Sequence, residues 1–215
     1  MMRKTGIQCE LWLCTELVAI FLVLPLVFFL KWIPGPKALP LLIVFAYALV
    51  LLLTDSTFDR RNFGLQKFRA WRPLIVRFAV VAAVMTAYVI FIEPRRILEI
   101  PLNRPGLWLM IMLFYPLWSA FPQEVIYRGF FRHRYRSLFT DERIFMLVNA
   151  LLFAFLHIIF RNWIAVAGGF LAGILWWLTY RRSGSLLVTS AEHALYGNFI
   201  YTIGLGHYFY VPDFA

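Results

Sequence analysis

Seven long apolar runs constrain the fold of this chain more than any other feature. They lie at about 11–30, 38–54, 74–92, 107–122, 144–160, 163–180 and 186–205. Each run is close to the ~20 residues with which an α-helix crosses a bilayer, and the runs are continuous rather than alternating as in a strand. Of the 215 residues, 62% are hydrophobic and only 15% charged. The sequence therefore predicts an all-α integral membrane protein, a polytopic transmembrane helical bundle of about seven spans.

The cations indicate a lipid bilayer as partner and how the chain is oriented in it. The formal net charge is +10, but the lysines and arginines lie mainly in short loops, and no zinc finger or separate basic domain indicates nucleic acid. Fourteen of them lie on the side of the N-terminus, six on the other side, and Arg77 lies inside the third run. Because positive loops stay in the cytoplasm, we predict a cytoplasmic N-terminus and a location in the cytoplasmic (inner) membrane.

Ionisable residues inside apolar runs are costly, so they usually have a partner and a function. Glu124 and Arg128 follow the fourth run with i, i+4 spacing, which places both on one helix face. An arginine there can hold the carboxylate oriented for general-base chemistry, although a plain structural ion pair is the alternative. The segment 123–139 otherwise reads as a charged, aromatic connection between the fourth and fifth runs.

Two further polar motifs lie in later runs. Asn149, Phe153 and His157 share one face of the fifth run by i, i+4 spacing. The seventh run contains Glu192, His193 and Asn198, although Glu192 and His193 project about 100° apart on a helix. In the sixth run, glycines at 169 and 173 form a small-xxx-small pattern that predicts close helix packing.

A glutamate and two histidines on three apolar helices can converge in the interior of a bundle. Such a set could bind zinc, activate water without a metal, or relay protons in a transporter. An internal repeat, which a transporter would be expected to show, is not visible in this sequence.

The order of these motifs resembles the CAAX protease and bacteriocin-processing (CPBP, Abi-like) family of intramembrane endopeptidases. The family pattern is Glu-Glu-x-x-x-Arg, then Phe-x-x-x-His, then His-x-x-x-Asn or Asp. The matching positions, which span about 120–198, are Gln123-Glu124 with Arg128, Phe153 with His157, and His193 with Asn198. The resemblance divides the chain into N-terminal transmembrane helices and loops at 1–106 and a protease core at 107–215.

The resemblance implies a hydrolase that needs no cofactor, with a membrane protein or peptide as substrate. Glu124 and His157 would activate water, His193 and the Asn198 amide would stabilise the oxyanion, and Arg128 would hold the acidic motif. A zinc-dependent protease and an inactive scaffold or transporter are the alternatives.

Two positions depart from the family pattern. Gln123 stands where the family has its first glutamate, so either Glu124 acts as the base or the protein is an inactive or altered member. The amide follows His193 by five positions rather than four, so Asn198 needs a π-bulge to reach the same face. Otherwise Tyr196 or Ser190 would have to donate in its place.

Overall fold

All seven predicted spans are helical in the computed structural model, which describes residues 6–33, 35–36, 38–65 and 71–210. Five helices are long and apolar enough to cross a membrane, α2 is shorter, and α7 carries the polar third motif. Within the described residues there is no strand, which confirms the all-α prediction. The helices are α1 (6–29), α2 (Ala38–Thr54), α3 (Trp71–Ile92), α4 (Pro105–Arg134), α5 (Glu142–Phe160), α6 (Trp163–Ser183) and α7 (Leu186–Ile203).

The fourth helix is much longer than predicted, because the charged segment expected to connect α4 with α5 continues the helix to Arg134. Two π-helical turns, Pro116–Ala120 and Val125–Phe130, lie on either side of Glu124. Pro116 lacks an N–H and crowds the preceding turn, so the helix can widen where Pro116 begins the first π-helical turn. Pro122 lies in the short α-helical segment between the two widened turns.

Local sequence explains the tight α6–α7 hairpin. The side chain of Asn162 caps the start of α6 by accepting from the backbone N–H of Ala165 at 2.8 Å. Gly184 ends α6 in the left-handed region at φ +60°, a conformation that costs glycine little. Ser185 then caps α7 by accepting from the Val188 N–H at 3.2 Å. The two helices are thus antiparallel neighbours.

The glycine pattern in α6 packs as predicted. A Cβ added at Gly173 would lie 2.8 Å from the Cα of Ala150 on α5, and one at Gly169 would lie 2.8 Å from Nδ1 of His157. Only glycine leaves room for α5 to approach this closely. The backbone of α6 therefore supports the segment of α5 that carries the second motif.

The helix ends gather on two opposite faces. At one face, which we call the Asp55 face, Asp55 contacts Nε2 of His133 at 2.9 Å and Ser185 donates to the carbonyl of Gly64 at 2.6 Å. At the other, the Tyr208 face, the hydroxyl of Tyr208 donates to Glu93, and Asn162 donates to the carbonyl of Tyr208 at 2.7 Å. Successive spans therefore cross between the faces in alternate directions.

Candidate active site

The carboxylate of Glu124 lies at the centre of the bundle, between the two π-helical turns of α4. Its side chain and that of Arg128 are both fully buried, and Arg128 Nε lies 3.3 Å from Glu124 Oε2. The i, i+4 pairing predicted from the sequence is thus present. Because a buried charge without a counter-charge is very costly, the two residues make each other's presence in the bilayer possible.

Arg128 also ties α4 to the two helices packed against it. It donates to Oδ1 of Asn149 on α5 at 2.9 Å and to the carbonyl of Gly173 on α6 at 3.3 Å. Its guanidinium lies 5.0 Å from the ring centroid of Phe153, within the range of a cation–π contact. Asn149 in turn donates to the carbonyl of Tyr127 at 2.8 Å. The predicted polar face of α5 therefore holds the arginine in place.

His193 of α7 is the histidine that contacts the glutamate. Its Nδ1 lies 2.9 Å from Oε1 of Glu124, and its side chain is almost fully buried. The ring stacks on the indole of Trp176, with centroids 3.7 Å apart and planes 18° from parallel. Tyr115 approaches it edge-on at 5.9 Å. The imidazole is therefore fixed by packing on α6 and α4 as well as by its bond to the carboxylate.

His157 lies near the end of α5, and its side chain is buried. Its Nδ1 lies 2.7 Å from the carbonyl of Phe153, which can only accept, so Nδ1 donates. The ring of Phe153 contacts both histidines, at 4.9 Å from His157 and 6.0 Å from His193. The two histidines are thus arranged around one aromatic ring, without any hydrogen bond from His157 to Glu124 among the described residues.

Asn198 does not join this group. It donates to the carbonyl of Met112 at 3.3 Å, and α7 is a regular α-helix from Leu186 to Ile203, without the π-bulge that would turn Asn198 towards His193. Gly197 occupies the position one turn after His193, where a Cβ would lie 2.1 Å from the ring of Tyr115. The aromatic side chain thus fills the place that the predicted amide would need.

The alternative donors, Ser190 and Tyr196, and Gln123 each have a buried polar atom without a hydrogen-bond partner among the described residues. The hydroxyls of Ser190 and Tyr196 are buried and lack a hydrogen-bond partner in the described part of the chain. Gln123 donates to the hydroxyl of Ser119 at 2.9 Å, and its Oε1 is likewise unpartnered within the residues described. An amide with a free carbonyl oxygen cannot accept a proton from water, so Gln123 cannot replace the missing base.

One family of known proteins matches part of the chain. Residues 105–199 match the family model described as Type II CAAX prenyl endopeptidase Rce1-like. This segment, which is less than half of the chain, is similar to the Rce1-like family. The Rce1-like family is the CPBP family that the motifs resemble, and the family implies CAAX intramembrane protease activity. Neither the curated proteins nor the solved structures give a match.

The matched Rce1-like segment contains all the predicted site residues and begins at the start of α4, so α1, α2 and α3 lie outside it. Sequence reasoning missed two residues that shape the site, Trp176 and Tyr115. No sequence signal marks them, because a tryptophan or tyrosine in an apolar helix is usually ordinary packing.

A zinc site formed by Glu124, His157 and His193 was an alternative from the sequence. In the part of the chain that the structure describes, no three histidine, cysteine, aspartate or glutamate side chains come together as metal ligands would. Glu124, His157 and His193 therefore do not form a ready-made set of zinc ligands in this arrangement.

Proposed function

We propose that the chain is an intramembrane endopeptidase that hydrolyses peptide bonds of membrane-associated or C-terminally processed proteins, with a water activated by glutamate and histidine. The contact of 2.9 Å between Glu124 and His193 is the observation that supports this most. A carboxylate bonded to one nitrogen of an imidazole fixes the tautomer of the ring and stabilises its cationic form. It is a recurrent arrangement for moving a proton.

The hydrogen bond assigns a role to each atom of this pair. The ionised carboxylate can only accept, so Nδ1 of His193 carries the proton and Nε2 is left with a lone pair. Nε2 would take the proton of a water as its oxygen attacks the substrate carbonyl, and would then return the proton to the leaving nitrogen. Arg128 would keep Glu124 charged throughout, since it lies 3.3 Å from the other carboxylate oxygen.

The second histidine would complete the site. His157 donates its Nδ1 proton to the carbonyl of Phe153, so its Nε2 is directed away from that bond and can face a substrate. In the protonated form this nitrogen would donate to the oxyanion, and in the neutral form it would share in activating water. This proposal exchanges the roles that the family resemblance implies for His157 and His193.

The family description supplies a first substrate to test. A type II CAAX prenyl endopeptidase acts near a prenylated C-terminus, so we propose a prenylated CAAX peptide as the first candidate. The purified protein in lipid nanodiscs would be incubated with a fluorogenic prenylated peptide. We expect Glu124→Gln and His193→Gln to lower kcat about 100- to 10,000-fold, the range for loss of a general base.

Two variants control this experiment. Gln123→Ala should be mild, because Gln123 bonds only to Ser119 in the described residues, whereas His157→Ala should be severe. Full activity in Glu124→Gln, His193→Gln and His157→Ala would refute the catalytic assignment. Loss of activity on chelation, with recovery on addition of zinc, would favour the metal-dependent alternative.

A catalytically inactive scaffold or transporter is the second candidate, and Gln123 is the observation that favours it. If the wild type cleaves neither the prenylated peptide nor membrane proteins that accumulate in a deletion strain, this candidate moves ahead. Restoring the family glutamate with Gln123→Glu would then be the decisive variant. Cleavage by Gln123→Glu alone would identify the wild type as an inactive member.

A further inference from the structure

A second buried ion pair lies beside the proposed catalytic pair. Arg77, the arginine inside the third apolar run, pairs with the carboxylate of Glu192 on α7 and donates to the hydroxyl of Thr179 on α6 at 2.6 Å. Glu192 is only 1% exposed, whereas the Arg77 side chain is 24% exposed. One arginine thus connects α3 with both helices of the α6–α7 hairpin.

Arg77 comes from a helix whose outer face is exposed, at Val76, Val80 and Val84. Its inner face packs on α7, where the ring of Phe78 contacts Tyr196 at 5.2 Å. An arginine costs several kcal/mol inside a bilayer, so it persists where it has a partner and a function. Arg77 also lies outside the segment 105–199 that matches the family.

Glu192 matters because it directly precedes His193, and His193 contacts the Glu124 carboxylate at 2.9 Å. Two buried carboxylates therefore lie in the same part of the bundle. Two buried anions repel each other unless each has its own cation. Arg128 serves Glu124 and Arg77 serves Glu192, which balances the charge of the site.

We propose that Arg77 is a positioning residue that, through Glu192, sets the rotation of α7 and so holds Nδ1 of His193 against Glu124. This inference rests on the proposed function for its catalytic consequence only. On a helix the two neighbouring side chains lie about 100° apart. Fixing Glu192 against α3 and α6 therefore fixes the direction in which His193 points. A released Glu192 would instead compete with Glu124 for the imidazole proton.

The test compares variants in nanodiscs with the prenylated peptide. Arg77→Gln and Glu192→Gln should each lower kcat about 10- to 100-fold with little change in KM, since small misplacements of a catalytic group have effects of this size. Arg77→Lys should recover part of the loss, and the double variant Arg77→Gln/Glu192→Gln should be more active than Arg77→Gln alone. Arg72→Gln, at an exposed arginine of the same helix, is the matched control and should equal the wild type.

A second readout does not depend on cleavage. The rate at which diethylpyrocarbonate modifies His193, followed by peptide mass spectrometry, should rise several-fold in Arg77→Gln and Glu192→Gln and stay at the wild-type rate in Arg72→Gln. The near-isosteric Glu192→Gln serves where Arg77→Gln does not fold. Folded Glu192→Gln with unchanged kcat and unchanged His193 modification would overturn the proposal. A wild type that cleaves neither the prenylated peptide nor the membrane proteins that accumulate in a deletion strain would refute the protease function, while the modification rates would still decide the positioning role.

Discussion

Arg128 is a charged side chain that can be buried in the bundle only because every part of it has a partner. Its side chain is fully buried and interacts with three helices, through Glu124, Asn149 and the carbonyl of Gly173. Removing one partner of a buried pair leaves the other charge without compensation, which costs far more than the pair itself contributes. The arginine is therefore a structural requirement whatever chemistry Glu124 performs.

We expect Arg128→Ala to destabilise the protein by about 3–5 kcal/mol, the cost of leaving a buried carboxylate unpaired. Arg132→Ala is a matched control, because Arg132 lies at the same 3.3 Å from Glu142 but both side chains are partly exposed. Its loss should cost about 0–1 kcal/mol. Thermal unfolding in detergent would compare the two, and equal losses would contradict the burial argument.

Asp55 gives a prediction about pH. Its hydrogen bonds to His133 and to Thr57 lower the pKa of the Asp55 carboxyl below its usual range. A depressed pKa contributes stability that is present above the unfolded-state value of about 4 and is lost as the pH falls through the native value. Asp55→Asn should therefore be less stable than the wild type at pH 6.

The difference between wild type and Asp55→Asn should shrink steadily below about pH 4. Melting temperatures between pH 3 and 7 would measure it, with Glu10→Gln, at an exposed carboxylate, as control. A difference that stays constant over the whole range would show that the ionised carboxylate contributes nothing to the native state.

At the scale of helices, α4 marks the limit of prediction from the sequence. The spans, the Glu124–Arg128 pair and the glycine packing of α6 followed from spacing, because these features depend on local periodicity. The continuation of α4 to Arg134 did not, since a polar segment has the same composition whether it is a loop or a helix that buries its charges. Tertiary pairing decides between them.

The partner of Glu124 was also beyond the sequence. Nothing in the spacing of 124, 157 and 193 tells which histidine meets the carboxylate, because the answer depends on how α5, α6 and α7 rotate. Trp176, which stacks on His193, and Tyr115, which lies beside Gly197, are packing contacts on which that rotation depends. They also leave Asn198 on the other side of α7, which the family pattern did not predict.

Adjacent glycines in α6 allow a sharp test of helix packing. Gly169→Ala would place its Cβ 2.8 Å from Nδ1 of His157, whereas at Gly168 the nearest atom, in Phe209, is 3.8 Å away. We expect Gly169→Ala to cost about 1–3 kcal/mol through overpacking and to displace His157, and Gly168→Ala to be nearly neutral. Thermal unfolding and peptide cleavage would both be measured. Equal stability and equal cleavage by the two variants would show that α5 can move away from α6 without loss of stability or activity.

The described part of the molecule is apolar on its surface and encloses a few charged residues within an apolar core. Exposed side chains include Ile43, Val84 and Leu113, while Glu124, Arg128 and Glu192 are buried. An apolar surface of this kind is stable where lipid surrounds the bundle. The pair formed by Arg77 and Glu192 brings α3 into contact with the matched segment. On this evidence we expect the site to need helices from both halves of the predicted division at 106.

The orientation of the bundle is a prediction from the distribution of cations. Arg128, counted with a loop in the sequence, is buried in α4. Arg3, Lys4, Lys37, Lys67 and Arg69 lie outside the described residues, and the described loop cations number nine on the Asp55 side and five on the other. Because the bias keeps its sign, we expect the Asp55 face, with the N-terminus, in the cytoplasm.

Single cysteines at exposed positions would test this orientation in intact cells, in a variant lacking Cys9 and Cys14. Ser137→Cys lies between α4 and α5 at the Asp55 face, and Asn103→Cys lies just before α4 at the Tyr208 face. A membrane-impermeant maleimide should label Asn103→Cys at once and Ser137→Cys only after permeabilisation. The opposite pattern would place the N-terminus outside. The Arg77–Glu192 pair lies nearer the Asp55 face. With the opposite pattern, this pair would be reached from the outside rather than from the cytoplasm, and polar substrate segments would reach His193 from the outside as well.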